Sequence, residues 1–91
     1  MPNIRVNVTL ELGSQYQIVI KIGDHVLHFE ESGSETIALD SRTYVAKIAG
    51  FQDPSNPAST VGVEFKKGST VLNSINISDR KFIKLLFVNV N

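Results

Sequence analysis

The chain has 91 residues, 42% of them apolar and 20% charged, the make-up of one folded domain spanning residues 1–91 rather than of a disordered segment. Nine Lys and Arg balance nine Asp and Glu, which excludes the broad electrostatic pull of a nucleic-acid or anionic-membrane binder. There is no Cys, so a disulfide scaffold and a thiolate zinc site are excluded and the core must hold without staples.

Met1-Pro2-Asn3 leads directly into a strand pattern, with no basic or apolar leader region. Two compartments stay open: the cytoplasm if Met1 is the natural start, an extracytoplasmic one if the domain comes from a larger protein. No apolar run approaches the length of a membrane span.

Ile4, Val6, Val8, Leu10 and Leu12 alternate with Arg5, Asn7, Thr9 and Glu11, the period-two pattern of a strand with one buried face. Tyr16, Ile18, Ile20 and Ile22 repeat it after Gly13-Ser14-Gln15. A three-residue hairpin loop pairing Leu12 with Tyr16 would keep both apolar sets on one side. Gly23-Asp24 suits a type II′ turn. The register it predicts sets Ile22 against His25, Ile20 against Leu27 and Ile18 against Phe29, with Lys21–Val26 and Val19–His28 on the other face.

Glu31-Ser32-Gly33-Ser34 reads as a polar turn. A short strand follows around Thr36 to Leu39, then one from Thr43 to Ala49 with Tyr44, Ala46 and Ile48 on one side. Gly50 to Ser59, with Pro54 and Pro57, is the longest irregular stretch and the expected mobile loop. Val61, Val63 and Phe65 open another strand, Lys67-Gly68 turns, and Val71 to Ser78 returns. Arg80 to Asn91 reads as a strand through Leu86, Val88 and Val90. A short helix through Phe82, Ile83, Leu85 and Leu86 is the alternative, opposed by Arg80 and Lys81 in its first turn. The expected fold is all-β: an antiparallel, Greek-key sandwich of about seven strands, immunoglobulin-like or prealbumin-like. Its expected core is Ile4, Val6, Val8, Leu10, Ile18, Ile20, Leu27, Phe29, Leu39, Tyr44, Ala46, Ile48, Val63 and Leu86.

The stretch Thr36-Ile37-Ala38-Leu39-Asp40-Ser41-Arg42-Thr43-Tyr44-Val45-Ala46-Lys47-Ile48-Ala49-Gly50-Phe51 resembles a passage of small transthyretin-like and immunoglobulin-like modules, such as PEGA and carboxypeptidase regulatory-like domains. The resemblance implies a corner in which Leu39 precedes the bend and Tyr44 anchors the next strand through its hydroxyl. It departs at Ser41-Arg42, where the family carries Pro-Gly. Such modules are mostly non-catalytic spacers, accessory domains and binding units, and the resemblance implies the same here.

Residues with chemical potential have ordinary explanations. His25 and His28, the only histidines, are an odd number apart on a strand and so point to opposite faces. Glu30, Glu31 and Glu35, with Asp53 and Asn56, offer hard oxygens but no calcium-loop spacing. No serine lies in a Gly-x-Ser-x-Gly elbow, and no cofactor cradle is present. Lys66-Lys67 and Arg80-Lys81 with Lys84 are small basic groups without interleaved aromatics, read as solvated or as edge protection. Asn7-Val8-Thr9 and Asn76-Ile77-Ser78 match the glycosylation pattern but fall inside predicted strands.

The final strand stands apart. Phe82, Ile83, Leu85, Leu86, Phe87 and Val88 are apolar on both faces, interrupted by Lys84. A central strand or a β-bulge explains this; so does a partly exposed strand that meets a partner through Phe82, Ile83, Leu85 and Phe87. The functional expectation is a non-enzymatic accessory or binding module of a larger extracytoplasmic assembly, without metal or cofactor. Its expected partner is another protein, a neighbouring domain or a second copy, not nucleic acid or membrane. The rival readings are a self-assembling structural subunit that uses the C-terminal strand, and a cryptic hydrolase or carbohydrate-binding domain.

Overall fold

The computed structural model describes residues 2–11, 15–52 and 59–90. Within them the alternating patterns form eight strands: β1 (Asn3–Leu10), β2 (Tyr16–Ile22), β3 (His25–Phe29), β4 (Gly33–Ala38), β5 (Arg42–Gln52), β6 (Val61–Lys67), β7 (Thr70–Ile77) and β8 (Lys81–Val90). They make two antiparallel four-stranded sheets, in the orders β4-β1-β6-β7 and β3-β2-β5-β8, packed as a sandwich. β1 pairs with β4 after the chain has passed through the β2–β3 hairpin of the other layer, the long return of a Greek key. No helix occurs among the described residues, and the C-terminal segment is a strand.

One face of each sheet is dry. Ile4, Val6, Val8, Val61, Val63 and Phe65 of the first layer, with Ile18, Ile20, Ile22, Ala46, Ile48 and Val88 of the second, are almost fully buried in one core. Each such Val, Ile or Phe side chain contributes about 1.5–3 kcal/mol by leaving water. Thirteen of the fourteen expected core residues are buried. Leu86 is the exception. It faces inward but sits half-covered beside the open side of the sandwich, packed against the core with Leu72 and Ile75.

The β2–β3 hairpin has the predicted register, Ile22↔His25 through Ile18↔Phe29. Its turn has positive φ at Gly23 alone, the pattern of type II′. A Cβ at Gly23 would lie 3.2 Å from Tyr44 Cε1 and 3.3 Å from Leu39 Cδ2, so the turn rests on the corner. There the Tyr44 hydroxyl donates to the Asp40 carbonyl at 3.2 Å, and the Arg42 guanidinium lies 4.5 Å from the ring centroid.

Three expectations are corrected. β1 and β2 are not a hairpin but lie in different sheets, β1 between β4 and β6, β2 between β3 and β5. Alternation reveals which side of a strand is dry, and the facing layers of a sandwich are dry on facing sides. The proposed Leu12–Tyr16 pair rests partly on Leu12, Gly13 and Ser14, outside the described residues. Gly50 to Gln52, expected in a loop, instead belong to β5, and the Gln52 N–H donates to the Arg80 carbonyl at 2.7 Å; residues 53–58, the rest of that expected loop up to Ala58, lie outside the described residues. The polar turn ends sooner than expected, since β4 starts at Gly33. Just before it, Ser32 Oγ accepts from the Leu10 N–H at 2.7 Å and donates to the Leu10 carbonyl at 3.2 Å, extending the β1–β4 ladder by a side chain.

Gly50 stands directly opposite Phe82, and a Cβ there would lie 2.7 Å from Phe82 Cζ and 3.0 Å from the Gln17 carbonyl oxygen. The buried Phe82 ring therefore lies over a bare patch of backbone, with the Tyr16 ring 6.3 Å away. Gly50→Ala is expected to destabilise by about 1–3 kcal/mol in chemical denaturation through overpacking. The loss should shrink in a Phe82→Leu background, as coupled neighbours require. Tyr44→Phe should cost about 1 kcal/mol for the lost hydrogen bond.

Candidate docking face

The two outer faces of the sandwich differ in chemistry. On the first sheet, Thr36, Arg5 and Lys66 lie abreast, as do Ser34, Asn7, Glu64 and Ser74, and then Thr9, Gly62 and Asn76. This face is polar and tied together, with Asn7 Nδ2 donating to Glu64 Oε1 at 3.2 Å. It is the solvated side an antiparallel sheet ordinarily presents.

The second sheet does not follow that rule. Its outward rows are Gln17, Phe51, Lys81; His28, Val19, Ala49, Ile83; Val26, Lys21, Lys47, Leu85; Val45, Phe87; and Thr43, Asn89. Of the eight large hydrophobic residues exposed among those described, seven lie here: Val19, Val26, Val45, Phe51, Ile83, Leu85 and Phe87. The eighth, Val71, is opposite Lys66 on the other sheet. Ile83, Leu85 and Phe87 are 67–69% exposed, so water covers most of each side chain. Beside them a shallow apolar depression is framed by Val19, Ala49, Phe51, Phe82 and Ile83.

Of the four residues expected at a partner surface, Ile83, Leu85 and Phe87 are on this face, while Phe82 belongs to the core, 6% exposed. β8 is neither central nor bulged: it ends the β3-β2-β5-β8 sheet in unbroken register with β5. It is apolar on both sides because Phe82, Val88 and Val90 face the core while the odd-numbered residues face out. Sequence reasoning missed Val19, Val26, Val45 and Phe51. Each belongs to a strand whose inward residues carry the apolar signal, as Val19 does between the buried Ile18 and Ile20, and only sheet pairing gathers the outward ones.

The free edge of β8 is guarded. Even-numbered Arg80 accepts from Gln52 of β5, so by strand alternation the odd-numbered backbone groups of β8 point away from β5. One of them, the Phe87 carbonyl, accepts from Asn73 Nδ2 of β7 at 2.7 Å, bridging the two sheets along their shared side. Lys84, opposite Ile48, points inward at that seam and pairs with Asp79 at 3.5 Å. A bonded carbonyl and an inward charge both discourage a further strand from adding.

The other sequence candidates are dispersed. His25 Nε2 meets the Ala38 carbonyl at 3.0 Å, whereas His28 Nε2 meets Gln17 Oε1 at 2.9 Å. Glu30, Glu31 and Glu35 are exposed, and Asp53 and Asn56 fall outside the described residues. Among the described residues, no three His, Cys, Asp or Glu side chains converge as metal ligands would. The basic residues are divided, Lys66 on the polar face, Lys81 on the apolar one and Lys84 at the seam. Replacing Asn73 by Ala should lower stability by about 1 kcal/mol and raise concentration-dependent aggregation, measured by denaturation and light scattering. Comparison with protein-family models, curated proteins and solved structures finds no match to this chain.

Proposed function

We propose that the chain is a non-catalytic binding module whose working surface is the outer face of the β3-β2-β5-β8 sheet. The observation that carries this reading is the gathering of seven exposed hydrophobic residues on one outer face while the opposite face is polar. Their summed exposure is on the order of 700 Å², spread over rows that Lys21 and Lys47 interrupt between Val26 and Leu85. Fold stability does not account for such a patch, because these side chains add nothing to the core they face away from. A docking surface does, and a flat sheet bearing Phe51 and Phe87 suits contact over area better than capture of a small molecule in a cleft.

The test compares the wild type with Leu85→Lys/Phe87→Lys and, as a control on the polar face, Thr9→Lys/Asn76→Lys. The wild type and the control should be retained on a phenyl matrix. The Leu85→Lys/Phe87→Lys protein should elute early while keeping its β-sheet circular dichroism. A wild type that elutes with that variant while sedimenting as a monomer would remove the docking face.

A further inference from the structure

We infer that the occupant of this face is a second copy of the same chain, stacked back to back so that two β3-β2-β5-β8 sheets form the middle layers of a four-layer dimer. The inference rests on the docking-face reading and names its partner. The first support is area. About 700 Å² of exposed apolar surface on one copy is close to the roughly 800 Å² per partner that a standard stable interface buries. The apolar residues alone thus approach the area of a standard interface, with Lys21 and Lys47 enclosed between Val26 and Leu85.

The second support is shape and pattern. Six of the ten outward positions of β5 and β8, Val45, Ala49 and Phe51 beside Ile83, Leu85 and Phe87, carry residues like those on the inner faces of the sandwich, the others being Thr43, Lys47, Lys81 and Asn89. A strand apolar on both sides is the pattern of one covered on both sides. Two sheet faces pack well when their strands run within about 30° of each other. A two-fold axis in the plane of contact supplies the same patch from both partners. The guarded edge of β8, with Asn73 on the Phe87 carbonyl and Lys84 turned inward, directs association to the face rather than to the edge.

Charge gives the proposal a distinctive sign. The strand positions of this face carry Lys21, Lys47 and Lys81 and no carboxylate, and Lys21 stands directly opposite Lys47. Two such faces brought together repel, and salt screens that repulsion: the Debye length falls from about 30 Å at 0.01 M to about 8 Å at 0.15 M. The pair therefore tightens as salt rises. Binding to an acidic protein or an anionic bilayer would weaken under the same change.

Sedimentation velocity on the full chain, over a micromolar to submillimolar series at low and physiological salt, reads all of this. The expected result is a monomer–dimer equilibrium whose dissociation constant falls several-fold with salt. Leu85→Lys should raise that constant roughly thirtyfold or more, as for a central interface anchor. Lys47→Glu sets an acid opposite Lys21 and leaves every apolar contact in place; it should tighten the dimer at low salt and flatten the salt dependence. A monomer across the series overturns the proposal, as does a dimer indifferent to both substitutions. So does a monomer that binds phosphatidylserine vesicles and releases them as salt rises. Such a monomer, if still retained on the phenyl matrix, would refute the second copy while leaving the docking face; one that is not retained would remove both.

Discussion

The layer of side chains shared by the two sheets is the constraint from which the rest of the molecule follows. Ile4, Val6 and Val8 on one sheet, and Ile18, Ile20 and Ile48 on the other, are excluded from water because each strand turns every second residue inward. That parity fixes register, since a slip of one residue would exchange the dry and wet sides of a whole strand. With no disulfide and no metal cluster among the described residues to share the task, interlayer packing and the strand ladders carry the stability.

Because parity is fixed, the outward residues are fixed too, and their chemistry is left to other demands. The β4-β1-β6-β7 sheet uses its outward positions for hydrogen bonding and solvation; the β3-β2-β5-β8 sheet fills many of its own with Val, Ile, Leu and Phe. One core therefore supports two unlike surfaces. Gly50 and Phe82 illustrate how closely the two sides of a sheet are joined: the ring is inward, yet the same stretch of β5 and β8 presents Phe51 and Ile83 outward.

Much of the fold was legible in the sequence because the signals were local. The pairings from Ile22↔His25 to Ile18↔Phe29 followed from one turn and two alternating runs, and the hydroxyl bond of Tyr44 at its corner is of the kind the family resemblance implies. Sheet membership was not legible for β1 and β2, since dry sides look alike whichever layer they belong to. The apolar outer face was legible only in part. Ile83, Leu85 and Phe87 announce themselves within one strand, but Val19, Val45 and Phe51 become a patch only through contacts between residues far apart in sequence. Phe82 was set with the exposed group because hydrophobicity marks a residue as apolar without saying which side it takes. Its parity with Val88 and Val90 carried that information.

The clasp from Asn73 to the Phe87 carbonyl bears on whether growth of an assembly ever stops. The β3-β2-β5-β8 sheet has two terminal strands, and joining β8 of one molecule to β3 of the next would leave the same ends free each time, a ribbon without limit. Contact through a flat face consumes its own sticking surface once two molecules meet. The bonded Phe87 carbonyl, with Lys84 beside it, thus sets the β8 edge against growth into such a ribbon.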